Sequence, residues 1–391
     1  MAQNLKEIRK QEFPQLENII WLNSAATVPL PASSVKEMEK AIEMHSEWQL
    51  EREDYDEQFK QMMKAPKKAA AKLMACNFHD FAYINNTAHG LNFLLHALDW
   101  ESGDNIVTSA LEFPTNYYPW IYLSRRKNVE LRTAPIHKNG QIDEADILDL
   151  IDIKTKLVSL SLVQFSNGQK IDAKKIAEKA HEKNAFLSLD AIQAIGGIEV
   201  YPEKIDADII SAGGGKFLMA PWGIGLCYIH PRVIELIEPP FQGAGNYDFS
   251  NGDYLNRTKP YLPGAERFQI GTNAFYCIAG LHASLNIINS CGIKNIAKHN
   301  YALTKQLMDS FDDLGLQIIT PREEASRAAI VNIRLPKNID PQEIVNRMAL
   351  KHKIYISARF GGVRFSTHCF NNSEEIAETI RIFSEMLKNL A

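Results

Sequence analysis

Lys216 follows three glycines at the end of an apolar run, in SAGGGKFLMAPWGIGLCYI. Asp190 closes another apolar run, LSLDAIQAIGG, 216 − 190 = 26 residues earlier. An amine so placed could hold a phosphate, pair with a surface carboxylate or attack a carbonyl. The nucleoside-triphosphate loop G-x-x-x-x-G-K-[ST] does not fit, because Ile210 stands at the first glycine and Phe217 at the hydroxyl that would ligate magnesium. The dinucleotide fingerprint G-x-G-x-x-G fails as well, since Gly223 and Gly225 are followed by Tyr228. A lone lysine at a strand end is most often just solvated. An acid and a lysine at two strand ends, however, can face one ligand across the top of a sheet. Pyridoxal phosphate needs that pair. Its aldehyde condenses with a lysine amine, and its pyridine nitrogen stays protonated beside a carboxylate. The amine must be neutral to attack, so partial burial should depress its pKa.

Such a pair requires a sheet to hold it. The β-rich runs DNIVTSA, VELRTAPI, KLVSLSLVQF, FLSLDA, ADIISA and GIGLCYI alternate with helical patterns such as DAKKIAEKAHEKNA, where Ile176, Ala177 and Ala180 share a face. This predicts an α/β fold with a mainly parallel sheet covered by helices on both sides. Ligands of such sheets bind beyond the carboxyl ends of the strands, where Asp190, Gln193 and Lys216 lie. From about Asn246 to Gly271 the pattern lapses into a long loop rich in Gly, Pro, Asn and Tyr, of a length that is often functional. The helical patterns AFYCIAGLHASLNIINSCG and IKNIAKHNYALTKQLMDSFDDLG follow. The short strands AAIVNIRLP, KIYISA and VRFST and a final helix SEEIAETIRIFSEMLKNL then predict a smaller α+β domain. The expected division is an N-terminal segment over 1–20 packing on the small domain, a large domain over 21–255, an interface loop over 256–275 and a small domain over 276–391.

Composition narrows the class. A chain of 391 residues exceeds one ordinary core. Its 45% hydrophobic and 23% charged residues are those of a soluble globular protein. A net charge of −4 gives no reason to expect nucleic acid or an anionic membrane as partner. The start, MAQNLKEIRKQEFPQLENII, has no signal-peptide core, and no run is long and apolar enough to span a bilayer, so a cytoplasmic enzyme is the expectation. The five cysteines are scattered without metal-ligand spacing, and their odd count argues against a disulfide framework.

The stretch LDAIQAIGGIEVYPEKIDADIISAGGGKFLMAPWGIGLCYI resembles the core signature of class V aminotransferase-fold enzymes. That group contains cysteine desulfurases, selenocysteine lyases, kynureninases and isopenicillin N epimerase-like proteins. The likeness runs from WLNSAATVPLP to GVRFSTHCFNN. It implies the type I fold of pyridoxal-phosphate-dependent transferases, with a seven-stranded-type sheet and a smaller C-terminal domain. It implies that Lys216 is the Schiff-base lysine, that Asp190 pairs with the pyridine nitrogen and that Gln193 sits near the ring oxygen. NNTAHGLNFLL would open a helix beneath the phosphate, with the N–H groups of Thr87 and Ala88 leading.

In ALEFPTNYYPW, Phe113 stands where desulfurases carry a ring-stacking histidine, as in kynureninases, and Asn116 is a candidate polar contact. In SLSLVQFSNGQ, Ser161, Gln164 and Ser166 are candidates for the ring oxygen or the phosphate. Two departures matter. Gly213 and Gly215 replace a serine and a histidine that the family often places at the phosphate. Thr272, in QIGTNAF, matches a threonine that completes the phosphate site from a partner chain, which implies a homodimer. In ISARFGGVRFSTHCFNN, Arg364 is the first candidate and Arg359 the second to grip a substrate α-carboxylate as a planar fork.

Only FGGV separates these arginines, which leaves no room for the cysteine-bearing loop of desulfurases. Cys369 lies beyond it, and His89, His282 and His368 are alternative proton carriers. The expected activity is aminotransferase-like chemistry on an amino acid. C–S or C–Se lysis, epimerisation and a catalytically silent cofactor-binding relative are the alternatives.

Overall fold

A computed structural model describes residues 5–47 and 55–388. Seven strands form the central sheet in the order Phe81–Ile84, Gly225–Ile229, Ile209–Gly213, Phe186–Asp190, Thr155–Ser161, Asn105–Ser109 and Glu130–Ala134. Gly225–Ile229 runs antiparallel to both neighbours, and every other pairing is parallel. The cause is local. No helix lies between Gly213 and Gly225, so no crossover can return the chain to the start of the sheet. The chain folds back through a turn, and Lys216 sits in it. The five middle strands are almost wholly buried because helices cover both faces of the sheet, hence their continuous apolar runs. Register places Ser161 beside Asp190 and Asp190 beside Ser211 along the carboxyl edge. The strand Phe81–Ile84 was not expected from sequence. Its four residues, all buried, lack the alternation that would separate them from the helical runs on either side.

A second sheet, Ser357–Arg359, Gly362–Ser366, Ile330–Arg334 and Gln317–Ile318, is antiparallel. Its core of Leu307, Phe311, Val331, Phe365 and Phe383 is closed by the helices Ile293–Asp313 and Ser373–Lys388. The KIYISA run splits in two. Ile354–Tyr355 pairs in parallel with Ile20–Trp21, and Ser357–Arg359 joins the sheet. The N-terminal helix Leu5–Glu12 is pinned where Arg9 donates to the carbonyl of Phe370 and pairs with Glu375, both at 2.8 Å. Residues 1–4 of that segment lie outside the described residues.

The helix Phe275–Cys291, grouped with the small domain from sequence, instead packs on Ala32–Ser46 and Tyr55–Met74 beside the large sheet. It is apolar nearly all round, as a buried helix must be, and Ile278, Leu281 and Leu285 join the large-sheet core. The loop before it is tied down by two 3₁₀ turns, Ala244–Asn246 and Gly264–Phe268, and by stacking of Tyr247 on Tyr261. No described helix is long and apolar enough to cross a membrane.

Candidate active site

Three sides hold the turn that carries Lys216. The amide of Gly213 donates to Thr87 Oγ1 at 3.0 Å, and that of Gly214 donates to the carbonyl of Ile224 at 2.8 Å. The carbonyl of Gly215 accepts from Val28 N and Thr27 Oγ1, both at 3.3 Å. Met219, whose amide closes the turn onto the Lys216 carbonyl at 2.8 Å, has φ of 55°. That left-handed conformation is strained for a side chain of its size. Burial pulls the Lys216 ammonium down to about 8; Asp190 opposes the fall, and Arg364 and Arg359 add to it. Asp190 is buried at its strand end. Burial pushes it up to about 6, against the Ile192 amide that donates to its Oδ1 at 3.0 Å and against Lys216, while Glu112 adds to the rise.

Lys216 opens into a cavity of about 490 Å³ bordered by Ala26, Thr87, Phe113, Gly214 and Trp222. The helix Thr87–Ala97 points its N-terminus at it. Asn86 caps that helix by accepting from His89 N at 3.1 Å. The first-turn N–H groups of Thr87 and Ala88 have no intrahelical acceptor and carry the positive end of the helix dipole. The Phe113 ring, 40% exposed, lies with Lys216 Nζ 5.5 Å from its centroid. Phe165 meets that ring edge-on at 5.0 Å. Gln193 is buried, its Nε2 donating to the carbonyl of Ala25 at 2.9 Å.

Glu112 was not anticipated. It is buried, and its carboxylate accepts from Ser161 N at 2.9 Å, Ser161 Oγ and Gln164 Nε2 at 2.6 Å, Asn116 Nδ2 at 2.9 Å and Ser109 Oγ at 3.2 Å. Asn116 and Ser161, expected at the cofactor, therefore turn their polar groups to this acid. The Oδ1 of Asn116 is taken by Ser159 Oγ at 2.6 Å. Gln164 keeps Oε1 unpartnered, and Ser166 keeps its hydroxyl so. Nothing in local sequence distinguishes a buried acid from a solvated one; the only hint was the excess of hydroxyl and amide residues at the ends of two neighbouring strands.

Arg364 reaches from the small sheet to the large one. Nη1 donates to the Phe165 carbonyl at 2.6 Å and Nε to Ser357 Oγ at 3.2 Å, while Nη2 is buried without a partner. With no carboxylate beside it, burial pushes its pKa down to about 9. Arg359 is exposed at the tip of the hairpin, and Thr272 is exposed and does not border the cavity. His282 lies on the helix Phe275–Cys291 against Asn286, His89 packs against Phe93, and His368 is buried under the Lys216 turn. None of these three borders the cavity. Cys369 is fully buried between His368 and Met219, and burial raises its thiol pKa well above the ordinary value.

Pyridoxal phosphate fits the residues present. Gln193 Oε1, Gln164 Oε1 and Arg364 Nη2 are buried polar atoms without a protein partner, although none of the three residues lines the cavity itself. Gly213 leaves backbone rather than a side chain facing Thr87. An amine held near neutrality stands across from a buried acid, and a helix N-terminus offers free N–H groups to an anion.

A sequence model of the aminotransferase class-V family matches residues 20–384. A probable cysteine desulfurase of Pyrococcus abyssi is 26% identical, the alignment covering 98% of each chain. Among solved structures, the apo cysteine desulfurase of Thermococcus onnurineus superposes with a TM-score of 0.87 at 23% identity over the whole of both chains. The cystine C–S lyase C-DES, in complex with its product cysteine persulfide, superposes with a TM-score of 0.88 at 20% identity over 96% of this chain and 99% of that one. The fold is shared with both.

Proposed function

The chain belongs to the aminotransferase class-V family, and from that premise we propose a pyridoxal-phosphate-dependent enzyme that breaks a C–S bond in a cysteine-type amino acid without a protein thiol. The observation that carries the reading is the Lys216–Asp190 pair: an amine drawn down to about 8 and a buried acid at adjacent strand ends, over a helix N-terminus. When bound, the coenzyme supplies a carbonyl for the amine and a protonated ring that accepts the electron pair left on the substrate α-carbon. The amides of Thr87 and Ala88 would hold its phosphate, Phe113 would cover one ring face, Gln193 would lie near the ring oxygen and Asp190 would keep the ring proton.

Lys216, once free, is suited to take the α-proton, since an amine titrating near 8 is neutral for a useful fraction of the time at working pH. Arg364, with Nη2 unpartnered, would grip the α-carboxylate, with Arg359 as the outer cation. Burial argues against Cys369 as a sulfur acceptor, and no cysteine among the described residues borders the cavity, so the sulfur product would leave in solution. The reading includes a homodimer in which Thr272 of the partner subunit completes the phosphate site. The free cysteines support a reducing, cytoplasmic location.

Transamination is the second reading, favoured by the same missing thiol. Purified protein incubated with cysteine and cystine decides between them. Pyruvate, ammonia and sulfide or persulfide released with no added keto acid support the lyase. A keto acid formed only when an acceptor is supplied overturns it in favour of the transaminase.

A further inference from the structure

We propose that the indole N–H of Trp222 donates a hydrogen bond to the phosphate of the coenzyme, from the space that glycine leaves open at position 215. The inference rests on the cofactor reading above. A Cβ placed on Gly215 would stand inside contact distance of Trp222 Cδ1 and 2.8 Å from Nε1, so the pyrrole edge of the indole lies in the volume where a side chain at 215 would begin. Any residue larger than glycine there would expel it.

The same indole borders the cavity together with Thr87, Ala88, Gly213 and Lys216, which puts it on the side of the helix N-terminus. The phosphate would meet few protein side chains there. Thr87 Oγ1 accepts from Gly213 N, which leaves its hydroxyl proton as one side-chain donor, and Gly213 and Gly215 supply no side chain at all. A dianion has acceptor sites left over after two amides of a first helical turn and one hydroxyl. Trp222 Nε1, a donor only, has no hydrogen-bond partner among the described residues.

The ring is 78% exposed, yet its backbone is fixed. Cys277 Sγ lies 3.5 Å from the Trp222 carbonyl, and Pro221 packs against Gly280, where an added Cβ would come within 2.7 Å of it. An indole anchored at its main chain, slotted against a glycine and open to the cavity is placed to meet a ligand rather than to fill a core.

The test separates the phosphate from the rest of the coenzyme. Apoprotein is titrated with pyridoxal phosphate and with pyridoxal, and the ratio of dissociation constants is read from absorbance. Trp222→Phe should weaken pyridoxal phosphate roughly tenfold to a hundredfold, the range for one hydrogen bond to a charged group, and leave pyridoxal unchanged. Gly215→Ala, which displaces the indole, should give the same selective loss, and the double variant no more than either. If Trp222→Phe binds pyridoxal phosphate within twofold of wild type, or weakens both ligands equally, the proposal is overturned. Conversion of a dimer to a monomer with the ligand ratio intact would overturn it too and make the indole an interface residue. Failure of wild-type protein to bind either ligand would instead sink the cofactor reading itself.

Discussion

His368 Nε2 lies 3.0 Å from the carbonyl oxygen of Phe217, the residue immediately after Lys216. The other ring nitrogen accepts from Cys369 N at 2.7 Å, so Nε2 must carry the proton and donate. The imidazole is stacked between Phe217 at 5.6 Å and Phe370 at 5.4 Å. A residue that looked like a proton carrier in sequence is thus a clamp on the backbone of the reactive turn.

That clamp works only while neutral. Burial holds the His368 pKa down to about 4. Between there and the ordinary histidine value the unfolded chain binds more protons than the folded one, so stability rises with pH across this window. It is fully present above about 6.5 and is lost as pH falls. Urea unfolding at pH 7 and pH 5 should show wild type losing roughly 2 kcal/mol more than His368→Gln over that interval. Equal losses in the two proteins would remove His368 from the account.

Glu112 predicts a second loss. Five donors converge on this carboxylate, and none has water to turn to once it is gone. Glu112→Ala should lower the unfolding free energy by at least about 3 kcal/mol, since each buried donor left unmade costs on the order of 1–3 kcal/mol. Glu112→Gln, which keeps the shape and one acceptor oxygen, should lose less. A Glu112→Ala protein as stable as wild type in denaturant melts would mean that the network reorganises without it.

Strand and helix alternation was legible in the large sheet because each strand from Asn105 to Ile229, the edge strand Glu130–Ala134 apart, is a buried and largely apolar run bounded by helices or turns, and Asp190 and Lys216 could be put at strand ends on that basis. What was not legible is nonlocal. Asn116, Ser161 and Gln164 are polar residues near the site, and sequence could not say that they face Glu112 rather than a ligand. The contact between Gly215 and Trp222 joins residues seven apart through a turn of irregular geometry. The helix Phe275–Cys291 follows the long loop and so reads as part of what comes next, yet its largely apolar surface sends it to the core of what came before.

The titration of Lys216 should govern how the apoprotein captures its coenzyme. Only the neutral amine attacks, so the rate of covalent capture should climb with pH through about 8 and level off above it. Asp190 raises the Lys216 pKa, so Asp190→Asn should move that midpoint lower. Stopped-flow absorbance reads both, and borohydride should fix nothing on Lys216→Ala. A midpoint near 10.5 would show an amine that is solvated in solution.

Loss of Cys369 should leave turnover nearly intact. The thiol is enclosed by His368 and Met219 with its pKa raised by burial, so it is neither exposed nor ionised as a sulfur acceptor must be. Cys369→Ala should keep kcat/KM for cysteine within about threefold of wild type, the loss reflecting packing alone. A fall of a hundredfold or more, with the thermal midpoint unchanged, would restore a protein thiol to the mechanism.

Arg364 carries the prediction most specific to substrate. Its Nη1 is fixed on the Phe165 carbonyl and its Nη2 is buried and free, so the fork is already oriented before a carboxylate arrives. Lysine offers a single point charge in place of that plane. Arg364→Lys should therefore lower kcat/KM for an amino acid by roughly thirtyfold or more, the range for breaking a buried charge-paired hydrogen bond. Arg359→Ala, at an exposed hairpin tip, should cost far less. The corresponding amine without a carboxylate serves as control, because a residue that merely ties the small sheet to Phe165 would slow both substrates alike. If the ratio between amino acid and amine is unchanged in Arg364→Lys, the carboxylate is held elsewhere and Arg359 becomes the residue to test.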